Sequence, residues 1–268
     1  MDCRMSESKE KKLIYEGERV DDIGFGGLKL IQKPEEFCYG VDAVILADFA
    51  ARYAAAALPS RKGQSEVVTA VDLGTGTGII PLILSYKTGW HQLVGVEVQE
   101  GSFKRAVRNA ALNGLDERVS FIHGDVKDFD VCWGKELSGS VDVVTSNPPY
   151  TKGSGGIKST NRAKAIARHE TTAGLENFIR CAAQLLKPRG DFFMVHRPSR
   201  LADICCMARA AGLEPKEMCF VSPNRESAPN ILLVHMVKGA GRQLTLLEPL
   251  FVYEENGSYT EKLKECYR

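Results

Sequence analysis

Residues 146–150 read Ser-Asn-Pro-Pro-Tyr and follow Val-Asp-Val-Val-Thr, a β-branched run whose composition predicts a buried strand. An amide side chain, two rigid prolines and an aromatic ring at a strand end are the parts needed to hold a planar amino group. Such a nitrogen is a poor nucleophile because its lone pair is delocalised, so it needs geometry more than a strong base. If the Asn147 side-chain oxygen and the Pro148 carbonyl each accept one of its hydrogens, the lone pair is aimed at the electrophile. The prolines fix the backbone so that both acceptors are already in place. Proximity of this kind is worth roughly 7–11 kcal/mol in well-oriented reactions. Tyr150 offers a ring on which a flat substrate stacks, as an extruded nucleobase would. Taken alone, the tetrapeptide is also what a rigid turn looks like. Its meaning depends on which elements converge with it.

Strand and helix patterns alternate from residue 67 onward. Val-Val-Thr-Ala-Val-Asp-Leu, Gln-Leu-Val-Gly-Val-Glu-Val, Arg-Val-Ser-Phe-Ile-His, the run before Asn147, and Gly-Asp-Phe-Phe-Met-Val-His read as strands separated by helical segments. Residues 214–223 and 230–238 are two further strands with no helix between them. The pattern predicts an α/β fold with a Rossmann-like seven-stranded sheet, mostly parallel, closed by a C-terminal antiparallel hairpin and flanked by helices on both faces. Ahead of it lie a polar tail over 1–12 and an extension over 13–65. The extension comprises a hairpin turned by Gly24, Gly26 and Gly27 and a helix that opens at Asp42. The sheet domain covers 66–240, and 241–268 form a C-terminal extension.

Composition narrows the class. A chain of 268 residues suits one large domain, and 35 Lys plus Arg against 34 Asp plus Glu leave a net charge of +1, so any attraction to an anionic partner must be local. The eight cysteines form no C-x-x-C pair and sit mainly in apolar stretches, as reduced thiols do; no metal is expected. The N-terminus lacks a signal-peptide core and no window is apolar enough to span a membrane. A cytoplasmic protein, monomeric or weakly dimeric, is expected.

The first strand of the alternating region runs into Asp72-Leu-Gly74-Thr-Gly76-Thr-Gly78. Glycines between a strand and a helix let a ligand approach the backbone. The dinucleotide spacing G-x-G-x-x-G fails here, because its third glycine would fall on Ile79 or Pro81. The pattern D-x-G-x-G-x-G resembles instead the first motif of Rossmann-like methyltransferases that use S-adenosylmethionine. On that resemblance the cofactor's sulfonium methyl is the electrophile. Glu97 ends the next strand, where a carboxylate accepts from ribose hydroxyls. Asp125 follows the third strand, where this enzyme class places an Asp on the adenine amino group. Both carboxylates are also plausible helix caps.

Asn147-Pro-Pro-Tyr150 completes a constellation that resembles the methyltransferases of amino nitrogens. Those act on adenine, cytosine or guanine amino groups, or on a glutamine amide of release factors. After the clamp, Lys152, Lys158, Arg162, Lys164 and Arg168 occur with no acid until Glu170, a segment suited to RNA phosphates. Its Gly-Gly-Ile-Lys-Ser-Thr lacks P-loop spacing. Together with Gly26 to Gln32, Tyr39-Gly-Val-Asp42-Ala and Ala167-Arg-His169-Glu170, these motifs resemble the bacterial tRNA(Val) adenine-N6 methyltransferases over nearly the whole chain from residue 13. The resemblance implies that Tyr39 and Asp42 cover the cofactor and that Arg168 and His169 lie near a tRNA substrate. A helix cap for Asp42 and a structural role for His169 are the plainer alternatives. The N-terminal 65 residues do not supply the helical substrate domain of the release-factor enzymes. The remaining readings are an rRNA base methyltransferase and a non-catalytic RNA-binding protein on the same fold.

Overall fold

The computed structural model describes residues 13–36, 38–61, 67–129, 133–150 and 173–268. Lys152, Lys158, Arg162, Lys164, Arg168 and His169 lie outside the described residues. A small antiparallel pair, β1 (Arg19–Asp22) and β2 (Lys29–Gln32), precedes the helix α1 (Val41–Arg61). The alternating region then gives β3 (Thr69–Leu73), α2 (Ile79–Lys87), β4 (Gln92–Glu97), α3 (Glu100–Leu112), β5 (Val119–His123) and β6 (Val141–Ser146). After the undescribed segment come α4 (Leu175–Leu185), β7 (Leu186–His196), α5 (Leu201–Ala210), β8 (Leu213–Ser222) and β9 (Ile231–Lys238).

Seven of the nine strands of the main sheet run in the order β8-β9-β7-β6-β3-β4-β5, and two short C-terminal strands join beside β8. Strands β3 to β7 pair in parallel and β9 runs antiparallel between β7 and β8, as the sequence pattern predicts. Alternate residues of a strand face opposite sides of a sheet, and here they separate two cores. Val143, Phe193, Val195 and Leu233 join α1 and α2 on one face, while Val144, Phe192, Met194 and Val234 join α4 and α5 on the other. The strand expected from Gly190 starts earlier: α4 stops at Leu185, and Leu186 already pairs with Val141 of β6. Pro188, which cannot continue a helix, accounts for that end.

The outer segments share these cores. Asn109 of α3, fully buried, accepts the Ile31 N–H at 2.6 Å and donates to the Thr77 carbonyl at 2.9 Å, so one side chain ties the hairpin to the glycine loop. Glu18 bridges Arg105 and Arg108 of α3; the hydrogen bonds from Arg108, foremost, hold its carboxyl at about 2. The C-terminal residues add β10 (Thr245–Leu246) and β11 (Leu250–Phe251) beside β8 and a short helix, α6 (Glu261–Glu265), with Leu250, Val252, Leu263 and Cys266 buried in the first core. Among the described residues, no helix is long and apolar enough to cross a membrane.

Candidate active site

Chain order leaves β3 for β4 and β5 on one side and then returns to β6 on the other, so the sheet's switch point lies between β3 and β6. Open α/β sheets bind ligands in the crevice at such a point, beyond the carboxyl ends of the strands. Leu73 pairs with Ser146 in register, so the glycine loop and the Asn-Pro-Pro-Tyr segment start side by side. Two side chains lock this junction: the Ser146 hydroxyl donates to the Leu73 carbonyl at 2.9 Å and the Thr145 hydroxyl donates to Asp72 Oδ1 at 2.7 Å.

The glycine loop has the left-handed backbone that its composition allows. Gly74, Gly76 and Gly78 have φ of 71°, 59° and 86°. A Cβ on Gly78 would stand 2.7 Å from the Phe121 ring, so that glycine is needed for packing. A Cβ on Gly76 would meet nothing within 4 Å, which leaves open space beside the backbone. Glu97, the last residue of β4, accepts the Gly76 N–H at 2.9 Å and the Gln99 N–H at 2.8 Å. Burial pushes its carboxyl upward, and these backbone donors oppose the shift. An open, glycine-lined backbone next to a strand-end carboxylate fits the amino-acid and ribose parts of S-adenosylmethionine. Asp125 lies just beyond β5, where its carboxylate accepts the Lys127 N–H at 2.9 Å and its carbonyl accepts from the Trp133 indole at 2.9 Å. It caps a short turn and borders the same crevice end.

Asp72 lies within β3, where the strand pattern of the sequence puts it, is 2% exposed, and faces Thr145 beneath the loop. Burial drives its carboxyl up to about 7, against the opposing hydroxyls of Thr75 and Thr145. An acid raised in the folded state stabilises the fold while protonated. Below about pH 4 both states hold the proton; through the window up to about pH 7 only the folded state keeps it, so stability falls as pH rises. Asp72→Asn is therefore expected to gain on the parent by on the order of 2–4 kcal/mol between pH 4 and pH 8. Chemical denaturation across that range checks it, and a pH-independent difference contradicts it.

Around the clamp, Pro148 is buried, Pro149 exposed, and Asn147 and Tyr150 partly buried. The Tyr150 hydroxyl lies 3.1 Å from Asp42 Oδ2 and 3.0 Å from Asn147 Oδ1 of the side-chain amide. Asp42 reaches it from the first turn of α1, where its Oδ1 also accepts the Ala43 N–H at 3.1 Å. Tyr39 stands just before α1, packed on the first core, with its hydroxyl pushed upward by burial and then by Asp21 and Asp22.

Two neighbours were not visible in the sequence. His196 ends β7, two residues past the partner of Ser146, and meets the Tyr150 ring edge-on at 5.2 Å. Arg197 sits over the same ring at 4.7 Å and donates to the Asn230 carbonyl at 3.0 Å. The Arg197 N–H donates to His196 Nδ1 at 2.8 Å, and burial, then Arg200, holds the imidazole at about 4, so at neutral pH its single proton is on Nε2. The His-Arg-Pro that follows this strand, parallel to Ser-Asn-Pro, was the available signal.

Comparison with known proteins agrees with this geometry. Residues 38–203 match the methyltransferase small domain family. A relative named tRNA1(Val) (adenine(37)-N6)-methyltransferase from Porphyromonas gingivalis is 30% identical over 196 residues, 72% of each chain. One of the same name from Pedobacter heparinus is 26% identical over 75% of this chain and 82% of its own. A release factor glutamine methyltransferase from Agrobacterium fabrum is 34% identical, over 51% of this chain and 45% of its own. The crystal structure of a predicted O-methyltransferase from Agrobacterium tumefaciens superposes with a TM-score of 0.64 at 18% identity, covering 84% of this chain and 95% of that one, a likeness of fold. The chain belongs to the methyltransferase small domain family and to that of the tRNA1(Val) (adenine(37)-N6)-methyltransferases, and it is an S-adenosylmethionine-dependent methyltransferase.

Proposed function

We propose that the chain methylates the exocyclic N6 amino nitrogen of an adenine in tRNA, beside the anticodon of a tRNA(Val). The observation that carries the chemistry is the Leu73–Ser146 pairing, which sets the glycine loop and Asn147 side by side at the switch point. The substrate follows the names of the relatives that match most of the chain. S-adenosylmethionine supplies an activated sulfonium methyl group. Gly74, Gly76, Gly78 and Glu97 would hold it, with Asp125, Tyr39 and Asp42 as further candidates at the crevice rim. Asn147 and the Pro148 carbonyl would hold the amino group and Tyr150 would stack on the base, with Asp72 supporting the loop from below.

The basic segment from Lys152 to His169 is the candidate for phosphate contact. Neutralising Lys158, Arg162 and Lys164 together is expected to weaken RNA binding and to lower the slope of log K against log salt by roughly 0.7–0.9 for each phosphate no longer neutralised. An unchanged slope would place the RNA elsewhere. A glutamine-methylating reading is favoured by one observation, the 34% identity to a release factor enzyme over half the chain. Methylation of an unmodified tRNA(Val) transcript, compared with one carrying guanine in place of the adenine beside the anticodon, tests the proposal. Loss of methyl incorporation is expected, and equal incorporation would contradict the assigned base.

A further inference from the structure

Asp42, Tyr150 and Asn147 form a line of polar groups from the first turn of α1 to the end of β6. The Tyr150 hydroxyl has one proton and two partners, Asp42 Oδ2 at 3.1 Å and the Asn147 side-chain amide at 3.0 Å. It cannot donate to both. A carboxylate is the stronger acceptor, so the proton points to Asp42. The hydroxyl oxygen then needs a donor on its other side. The Asn147 amide provides one when its nitrogen faces Tyr150, a half-turn that changes no shape because amide oxygen and nitrogen are nearly isosteric. The amide oxygen is thereby turned away from Tyr150 and left to accept from another group.

We propose that Asp42 is a positioning residue for Asn147: through the Tyr150 hydroxyl it selects the amide orientation whose oxygen accepts from the substrate's amino group. The inference rests on the clamp reading of Asn147 and deepens it. Independent features hold the line in place. Asp42 Oδ1 is occupied by the Ala43 N–H, which aims the other oxygen at Tyr150. A Cβ at Gly40 would stand 2.7 Å from that same Oδ1, so the carboxylate fits there because residue 40 has no side chain. Arg197 over the Tyr150 ring and His196 at its edge restrain the ring. Burial, and after it the Asp42 charge, pushes the phenol far up, so it stays a donor at every working pH.

Tyr150→Phe keeps the ring and removes only the hydroxyl; Asp42→Ala removes the acceptor; Asp42→Asn keeps an oxygen there. Turnover, KM for an unmodified tRNA transcript and cofactor affinity are measured for each, with the double variant. Side-chain NH2 signals of Asn147 are followed in asparagine-labelled protein without substrate. Each of Tyr150→Phe and Asp42→Ala should lower kcat by about tenfold, the contribution of one net hydrogen bond, with KM for tRNA unchanged, and Tyr150→Phe should leave cofactor affinity as in the parent. The double variant should be no worse than the poorer single one, Asp42→Asn should recover most of the turnover, and both losses should shift the Asn147 NH2 signals. Parental kcat in Tyr150→Phe, multiplying losses in the double variant, or an Asp42→Ala defect confined to cofactor affinity would overturn the proposal. Asn147→Ala separates the two levels: if it turns over normally the clamp itself fails, whereas an inactive Asn147→Ala beside a normal Tyr150→Phe removes only the role of Asp42.

Discussion

Asn147→Ala is expected to bind S-adenosylmethionine as the parent does and to lose at least about 100-fold in turnover, the effect of removing one preorganised contact to the reacting group. Affinity should survive because the side chain engages Tyr150 rather than the glycine loop, whose contacts run to Val96 and Glu97. Turnover should fall because Asn147 directly follows Ser146, which the Leu73 ladder and its own hydroxyl bond fix. A variant with only a methyl group there leaves the amino nitrogen to water, which is not preorganised. Calorimetric cofactor titration beside single-turnover kinetics reads both quantities. Turnover within a few-fold of the parent would take Asn147 out of the mechanism.

Glu97→Ala has the opposite signature. Its carboxylate ends β4 beside the loop and holds the Gly76 and Gln99 N–H groups. Two hydrogen bonds between a charged group and ribose hydroxyls, each worth roughly 1.5–3 kcal/mol, imply a loss of at least about 100-fold in S-adenosylmethionine affinity. The freed Gly76 N–H would loosen the loop and add to that loss. At saturating cofactor, turnover should recover towards that of the parent, since Glu97 does not reach the clamp in the structure. Parental affinity in this variant would mean that the carboxylate serves only the loop.

The sheet was legible because its strands advertise their burial. All six residues of β6 are buried and its neighbours carry the same apolar runs, so period and order follow from the sequence. The strand-end positions of Glu97 and Asn147 were legible for the same reason. What escaped depends on contacts between distant segments. Asp42 and Tyr150 are 108 residues apart, and no local pattern announces that one carboxylate serves the other's hydroxyl. His196 closes an apolar strand, and its place beside Tyr150 comes from the β6–β7 register alone. Asp72, two residues before Gly74, is still in the strand, as the apolar run around it indicates, and it is buried there. The C-terminal extension was unreadable because its strands have two residues each and no period to detect.

The most direct measurement is methyl transfer from radiolabelled S-adenosylmethionine to total tRNA stripped of modifications, set beside release factor as a protein acceptor, with nucleoside analysis of the product. The account predicts label in tRNA, recovered as N6-methyladenosine. Label in the protein acceptor, or in a nucleoside other than N6-methyladenosine, would contradict it.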